Sequence, residues 1–253
     1  MNLRLIFSIA VVISCVSCGN SPPFSQVVLS PDINHILVEV DYMENMAPFT
    51  NTSTNEPLWS FLENNISALF QDTKSLTVPK SLNAMQEIPA RNQNYMLDDI
   101  LSLADEYRDQ KETDGPTASL YIIFLDGYLK HEGQIKNSVI GISVSGTSII
   151  AVFKPVIYSR AFPLPAVKFF IEQSVLIHEA GHAFGLVNNG LALTSDHHDQ
   201  EHGAHCTNSS CVMYYLNEGV SDLIEFIRDG FSLQEVIFKD ECLQDAHAAL
   251  GSI

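Results

Sequence analysis

Two histidines and a glutamate stand at a spacing that suits metal-assisted hydrolysis. The residues from His178 to His182 read H-E-x-x-H, with Glu179 directly after the first histidine. On a helix, residues four apart lie on the same face, about one turn from each other. Two imidazoles placed in this way can both bind one Zn²⁺ at roughly 2.0–2.1 Å, and the adjacent carboxylate can take a proton from water. The motif therefore predicts one catalytic zinc, with Glu179 as the general base.

The residues around this motif indicate a buried helix. They are apolar on nearly all sides: Val175, Leu176, Ile177, Ala180, Ala183 and Phe184. A helix of this kind is buried rather than amphipathic. Buried imidazole and carboxylate groups need partners, and a metal ion is the natural one. The alternative, a surface helix with two ordinary hydrogen-bonded histidines, fits these neighbours poorly.

The motif extends to a glycine, and after it the sequence departs from a known family pattern. With Gly185 it reads H-E-x-x-H-x-x-G, and with this extension the chain resembles the metzincin clan of zinc endopeptidases. In that clan the glycine ends the active-site helix and a third histidine, three residues later, completes the site. Glycine suits the task because it accepts positive φ. Here the third position is Asn188, whose amide is a poor zinc ligand beside imidazole.

A histidine-rich segment follows, and its end supplies a second resemblance. Six of the nine histidines fall between positions 178 and 205, a concentration that favours a metal site. Residues 205–213 read H-C-x4-C-x-M, and the chain thereby resembles the archaemetzincins, with an insertion between Gly185 and His205. The resemblance implies that His205 is the third zinc ligand and that Met213 is the Met-turn methionine beneath the zinc.

Other residues in and near this segment are further candidates for the zinc site. His197, His198 and His202 are alternative third ligands, and those that do not bind the first ion are expected to bind a second one, orient the ligands or line the cleft. Asp196 or Asp199 is a candidate partner for a ligand histidine. Tyr215 stands two residues after Met213. In some metzincins a tyrosine at this offset ligates the resting zinc or stabilises the oxyanion; the alternative is a packed aromatic ring.

The first eighteen residues are typical of an export signal. Arg4 provides a short positive segment, and the apolar run over 5–13 is too short to span a bilayer. The residues that follow resemble a bacterial lipoprotein signal, with Cys18 as the lipidated residue and Cys15 as an alternative. The resemblance implies a lipid-anchored protein of the cell envelope, on the periplasmic or surface face of the outer membrane. We predict a signal over 1–18, a tether over 19–30 and one zinc metallopeptidase domain over 31–253.

Export changes the interpretation of the cysteines. Cys206, Cys211 and Cys242 remain in an oxidising compartment, so at most one intramolecular disulfide can form. Cys206 and Cys211 flank a turn-like segment and are the predicted pair, and Cys242 is expected to be a core thiol. Archaemetzincins carry further cysteines that hold a second, structural zinc. Because the C-x-x-C pair is missing here, we predict no zinc site built from four cysteines.

Composition excludes several functions. The chain has 253 residues, 46% of them apolar, and carries a formal net charge of −17. It is long enough and apolar enough for one domain with a sizeable core. The acidic excess argues against nucleic-acid binding, which needs clustered Lys and Arg. We expect no membrane contact other than through the N-terminal lipid anchor.

Periodicity and turn signals place the remaining elements. Strands are predicted over 36–42, 75–78, 120–125, 139–144 and 147–153, and helices over 58–70, 95–107, from Pro165 to about Leu186, and from a capping box at Ser232 towards Leu250. This pattern predicts an α/β (α+β) fold with a metzincin-like mixed sheet of four or five strands, the active-site helix and a helical C-terminal subdomain.

The leading functional hypothesis is a zinc-dependent endopeptidase acting on peptide or protein substrates. Two alternatives remain: a non-catalytic zinc-binding surface lipoprotein, favoured by the histidine-rich segment, and a degenerate metzincin, favoured by Asn188. Glu179 argues against mere storage, because a carboxylate beside the ligands serves chemistry rather than binding.

Overall fold

A mixed sheet forms the centre of the molecule. The structure is a computed structural model that describes residues 22–159, 165–215 and 232–251. The strands of the central sheet are β1 (His35–Met43), β2 (Ser75–Thr77), β3 (Gln86–Ile88), β4 (Thr113–Asp114), β5 (Thr117–Leu125), β8 (Gly141–Ser143) and β9 (Ile149–Phe153). Two small hairpins lie apart from it: β6 (Leu129–His131) with β7 (Gln134–Lys136), and β10 (His198–Asp199) with β11 (His205–Cys206).

The main path through the sheet runs β2-β1-β5-β9-β8. Strand β1 is parallel to β2, β3 and β5, and β5 is parallel to β9. Strand β8 is antiparallel to β9, with Gly141 opposite Val152, so this end of the sheet reverses direction as predicted. The residues of β5 from Ala118 to Leu125 are all buried, because a central parallel strand is covered on both faces. The sheet exceeds the predicted size through β3 and β4, which are too short to give a periodic signal.

Six helices accompany the sheet within the described residues: α1 (Phe24–Leu29), α2 (Trp59–Phe70), α3 (Leu97–Tyr107), α4 (Lys154–Tyr158), α5 (Pro165–Ala183) and α6 (Asp240–Gly251). Helix α5 packs against β8, β9 and α2, and α2 also packs against α6. Every residue of α5 from Phe170 to Gly181 is buried, which confirms the predicted buried helix. Among the described residues no helix has the length and hydropathy needed to cross a bilayer.

A buried ion pair fixes the helix that carries the motif. Lys154 Nζ pairs with Glu172 on α5, and both side chains are fully buried. The backbone N–H of Phe49 donates a second hydrogen bond to Glu172 (2.7 Å), and Lys154 Nζ lies 3.9 Å from the centre of the Phe49 ring. Buried charges are tolerated when paired and hydrogen-bonded in this way. These contacts tie α5 to the loop that follows β1.

The predicted tether over 19–30 is wrong in its second half. Residues Phe24 to Leu29 form α1, and Phe24 and Val28 are fully buried. Phe24 packs against Phe184 with ring centres 6.1 Å apart, beside the end of α5. Apolar burial therefore anchors this segment in the domain. The predicted signal and both candidate lipidation residues, Cys15 and Cys18, lie outside the described residues.

The last helix begins later than predicted. It starts at Asp240 rather than at the Ser232 capping box. The reason lies in tertiary hydrogen bonds of the segment between them. The Asn65 side chain on α2 donates to the Glu235 carbonyl (3.0 Å) and accepts from the Ile237 N–H (2.8 Å), and the Ile237 carbonyl accepts from the Val212 N–H (2.9 Å). Of the predicted C-terminal helical subdomain, residues 216–231 lie outside the described part.

Candidate metal centres

Two histidines on α5 present nitrogens to a common point. The Nε2 atoms of His178 and His182 are 3.0 Å apart. Two nitrogens bound to one tetrahedral zinc lie roughly 3.3–3.4 Å apart, given bond lengths of about 2.0–2.1 Å. His178 Nδ1 lies 2.7 Å from the Val212 carbonyl and must donate to it, since a carbonyl only accepts. That bond fixes the tautomer and leaves Nε2 with a lone pair for a metal ion.

His205, which directly follows the insertion in sequence, lies close to this pair. It lies in β11, and its ring centre is 5.3 Å from that of His178 and 5.1 Å from that of His182. Its Nδ1 donates to the His202 carbonyl at 2.6 Å, which again leaves Nε2 to bind a metal. The ligand atoms of the three histidines all lie within 4.8 Å of one another. We call this set the three-histidine group, and it has the donor chemistry and the spacing that fit zinc.

The chain turns directly after the second histidine. The Gly185 N–H donates to the His182 carbonyl (3.0 Å) and the Leu186 N–H to the Gly181 carbonyl (3.0 Å), the pair of bonds that defines a Schellman cap. Gly185 has φ +88°, which bears out the role predicted for this glycine. Asn188 is exposed and has φ +59°, so it stands apart from the three-histidine group. The turn directs the chain into the insertion, which leads to His205.

The side chain of Glu179 extends from α5 towards strand β8 at the edge of the sheet. Its side chain is buried, with 4% exposed. A Cβ atom added at Gly141 of β8 would lie 3.2 Å from Glu179 Cγ, so the two elements meet closely here. Glycine at this position leaves room for two side chains of α5, since the added Cβ would also lie 2.6 Å from Val175 Cγ1. Glu179 therefore lies on the side of α5 that faces β8, the last strand on the main path through the sheet.

Met213 packs beneath the ligand helix. Its side chain is fully buried, and a Cβ atom added at Gly181 would lie 2.4 Å from its Sδ. Its carbonyl accepts from the Cys206 N–H at 2.8 Å. Met213 therefore contacts α5 at Gly181, one residue before His182, and is bonded to the strand that carries His205.

The other candidate ligands point elsewhere. His202 bonds to Asp199 (2.8 Å) and stacks on Tyr215, with ring centres 3.7 Å apart and planes 8° apart. His198 donates to the Gly203 carbonyl at 2.8 Å. Neither belongs to the three-histidine group, although the His202 backbone orients His205. Tyr215 is thus placed next to the insertion, with its ring stacked on His202.

A second group of metal-binding side chains lies next to the first. The ligand atoms of His197, Cys206 and Cys242 lie within 4.8 Å of one another, and all three residues are buried. Cys211 Sγ is 3.6 Å from Cys242 Sγ. The predicted Cys206–Cys211 disulfide is wrong, because all three cysteines are free thiols. Tertiary contacts give these thiols other partners: Cys206 Sγ lies 3.3 Å from His197 Nδ1, and Cys211 Sγ lies beside Cys242.

Mutual hydrogen bonds shift the ionisation of these thiols in opposite directions. Hydrogen bonds from Cys206 and Cys242 hold the pKa of the Cys211 thiol well below its ordinary value. The same bonding network raises the pKa of Cys242. Burial alone would lower the pKa of His197, but its bonds to Cys206 and Asp245 outweigh burial and raise it. Three thiolates cannot coexist here without a compensating cation.

Asp245 is the residue of these groups that sequence reasoning missed. It lies on α6, is 1% exposed, and accepts from His197 Nε2 at 2.8 Å. The predicted carboxylate partners were Asp196 and Asp199; Asp199 instead bonds to His202. Sequence distance hid this contact, since 48 residues separate His197 from Asp245. The sequence did hold one signal: three cysteines are an odd number, so a single disulfide leaves one thiol unexplained.

Comparison with known proteins gives structural neighbours only. The chain matches no protein-family model and no curated protein. Among solved structures it is similar to an archaemetzincin from Methanopyrus kandleri, at 15% identity and TM-score 0.49, over 87% of this chain and 98% of that one. It is also similar to a zinc-dependent peptidase from Methanocorpusculum labreanum, at 13% identity and TM-score 0.46, over 84% and 99%.

A third solved structure is also similar to this chain. It is an archaemetzincin from Archaeoglobus fulgidus in complex with malonate, at 15% identity and TM-score 0.39, over 83% of this chain and 99% of that one. All three identities and TM-scores are low. We therefore draw the function of the chain from the side-chain geometry alone.

Proposed function

We propose that this protein is a zinc-dependent endopeptidase whose catalytic ion is held by His178, His182 and His205. The observation that carries the proposal is the convergence of three imidazoles from α5 and β11, with Glu179 next to the first of them. Three neutral histidines leave a fourth position for water or substrate, as catalytic zinc sites require. A zinc ion held there would act as a Lewis acid towards a peptide carbonyl and make water a better nucleophile.

The chain's own residues supply the proton transfers and the alignment. Glu179 takes a proton from the attacking water and passes it to the amine nitrogen that leaves. Glu179 is buried, so its carboxylate lies in a medium of low dielectric, where its electrostatic interactions are stronger than in water. A peptide substrate in extended form would add as a further strand to the side of β8 that pairs with no other strand among the described residues. Tyr215 is the proposed donor to the developing oxyanion.

The competing function is zinc binding without catalysis. It is favoured by the second metal-binding group, because a chain with two such groups would suit metal storage. The placement of Glu179 favours catalysis instead: storage has no use for a buried carboxylate that is not itself a member of the three-histidine group. Specificity for internal peptide bonds, as opposed to chain ends, is part of our proposal and follows from the edge-strand mode of binding.

The discriminating experiment compares the wild type with Glu179→Gln. Both proteins, full length and purified in detergent, are incubated with zinc and a library of unstructured peptides, and the products are identified by mass spectrometry. We expect cleavage at internal bonds by the wild type. We expect a loss of at least about 100-fold in rate for Glu179→Gln, with equal bound zinc. Equal cleavage by both proteins, or none by either, would contradict the proposal. The exposed Glu201→Gln is the matched control.

We further propose that the protein is anchored to the bacterial cell envelope by a lipid on Cys18. The basis is the signal-like composition of residues 1–18 alone. Expression with a radiolabelled or alkyne-tagged fatty acid tests it. Label should enter the wild type and be lost in Cys18→Ala, while Cys15→Ala keeps it. The reverse pattern would assign the lipid to Cys15. A wild type that takes up no label would refute the anchor.

A further inference from the structure

The insertion after the ligand helix ends in a small hairpin that holds one of its histidines against Tyr215. Strand β10 is antiparallel to β11, with Asp199 opposite His205. His202 lies in the turn between the two strands, and its Nδ1 donates to the Asp199 carboxylate at 2.8 Å. The imidazole ring of His202 stacks on the ring of Tyr215, with centres 3.7 Å apart and planes 8° apart. The insertion therefore supplies a flat surface for a residue that lies outside it.

Asp199 fixes the orientation of the His202 ring. An ionised carboxylate only accepts, so Nδ1 carries the proton and this bond holds one edge of the ring. Asp199 is itself held in the turn, because its other carboxylate oxygen accepts from the Glu201 N–H (3.1 Å) and its carbonyl accepts from the His202 N–H (3.2 Å). The side chains of His202 and Asp199 are only 30% and 16% exposed. The imidazole is therefore a fixed platform rather than a freely rotating surface ring.

The same residue is bonded to a member of the three-histidine group. The His202 carbonyl accepts from His205 Nδ1 at 2.6 Å. The contacts therefore run from the Tyr215 ring through His202 to His205. A second connection runs along the chain, because the carbonyl of Met213, two residues before Tyr215, accepts from the N–H of Cys206 at 2.8 Å. Tyr215 is thus tied to strand β11 both through its ring and through the residues just before it.

We propose that His202 is a positioning residue that holds the Tyr215 ring by stacking and is itself held by Asp199. This inference rests on the proposed function, in which Tyr215 donates to the developing oxyanion. A tyrosine side chain rotates about two bonds, and a donor stabilises a transition state best when its orientation is set beforehand. Stacking on His202 sets the plane of the Tyr215 ring and restricts its hydroxyl to that plane. His202 thereby acts through Tyr215 rather than on the substrate.

The first test is the environment of the Tyr215 ring, which is measured without any activity. The full-length protein is labelled with fluorotyrosine, purified in detergent and studied by fluorine NMR with and without zinc; the Tyr215 resonance is the one that Tyr215→Phe removes. We expect His202→Ala and Asp199→Ala to move this resonance, because the stacked imidazole no longer shields the ring. Asp199→Asn, which keeps an acceptor for Nδ1, and the exposed Glu201→Gln should leave it in place. An unmoved resonance in His202→Ala would overturn the proposal.

The second test separates positioning from a general effect on the fold. We expect His202→Ala to lower kcat about 10- to 100-fold with KM unchanged, because the lost orientation matters only in the transition state. Bound zinc should stay equal, since alanine keeps the carbonyl that bonds to His205. His202→Phe, which restores a flat ring, should recover part of kcat.

The double variant shows whether His202 acts through Tyr215. Tyr215→Phe should lower kcat at least as much as His202→Ala, and adding His202→Ala to it should cause no further loss. Losses that multiply in the double variant, or loss of zinc in His202→Ala, would show that His202 acts by another route and would overturn the proposal. Absence of cleavage by the wild type would instead refute the proposed function, and the fluorine spectra would still decide whether His202 holds Tyr215.

Discussion

His205 and Cys206 are consecutive in sequence, yet their side chains belong to two different groups of candidate metal ligands. His205 meets His178 and His182, whereas Cys206 meets His197 and Cys242. Side chains of adjacent residues in a strand point to opposite sides, which is why a two-residue strand can serve both groups. A substitution in one group should therefore alter the geometry of the other, because a single peptide unit connects them.

The first prediction concerns this coupling. Cys242→Ser alters the second group at α6, far in sequence from His205. We expect kcat/KM for peptide cleavage to fall at limiting zinc, because β11 is held less firmly and His205 is displaced. The fall should be partly recovered at high zinc concentration. The measurement is a zinc titration of cleavage rate, with Gln244→Ala as the control. A titration curve that matches the wild type would contradict the coupling.

The second prediction tests the contact between Gly181 and Met213. A Gly→Ala change inside a helix ordinarily stabilises it by about 1 kcal/mol. Here we expect Gly181→Ala to destabilise the protein by about 1–3 kcal/mol, because the new Cβ would meet Met213 Sδ at 2.4 Å and Phe238 Cε1 at 3.0 Å. Urea unfolding measures this change. In a Met213→Ala background the same substitution should cost less, and additive effects would show that the two residues do not interact.

The third prediction concerns Asn188, which occupies the third-ligand position of the metzincin pattern. Because it is exposed and apart from the three-histidine group, Asn188→Gly should leave bound zinc and cleavage rate unchanged. Glycine tolerates its φ of +59°. Asn188→Ala should also keep the zinc but lose about 1 kcal/mol of stability, through strain at positive φ. Loss of zinc in Asn188→Gly would mean that the amide takes part in binding.

The fourth prediction is a pH dependence of stability that originates in β1. Burial raises the pKa of Asp41 to about 6, although the Tyr121 hydroxyl partly offsets this through a 2.6 Å hydrogen bond. A raised pKa means that the folded state favours the protonated form. Asp41 therefore contributes stability below pH 4, and this contribution is lost as the pH rises through about 6.

The comparison variant for this prediction is Asp41→Asn, which keeps a hydrogen-bond acceptor for Tyr121. The stability of the wild type relative to Asp41→Asn should rise as the pH falls from 7 to 4, as measured by urea unfolding at each pH. The exposed Asp32→Asn serves as the control and should show no such trend. A wild-type advantage that does not vary with pH would contradict the assignment.

Much of the fold was predictable because its signals are local. Strands β1, β5 and β9 are long apolar runs, and α2, α3 and α5 have helical periodicity. The errors arose where tertiary contacts override local pattern. The Ser232 capping box is displaced by hydrogen bonds to Asn65, and Phe24 is drawn into the core beside Phe184. Strands β3 and β4 are too short for a period to show.

The three-histidine group was predictable because H-E-x-x-H is defined by spacing on one helix. His205 required a resemblance, since the insertion separates it from that helix. The second group, His197, Cys206 and Cys242, was missed because its members come from three separate segments. The disulfide prediction rested on the closeness of Cys206 and Cys211 in sequence. It took Cys242 as a separate core thiol, whereas α6 brings the sulfur of Cys242 to 3.6 Å from that of Cys211.

The most direct test of the account is the zinc content of single-histidine variants. His178→Ala, His182→Ala, His205→Ala and the control His198→Ala are dialysed against a chelator of moderate strength and measured by elemental mass spectrometry. Loss of the same single ion in the first three variants, with His198→Ala equal to the wild type, is the predicted result. Full retention of that ion in His205→Ala would contradict the three-histidine centre and, with it, the proposed peptidase mechanism.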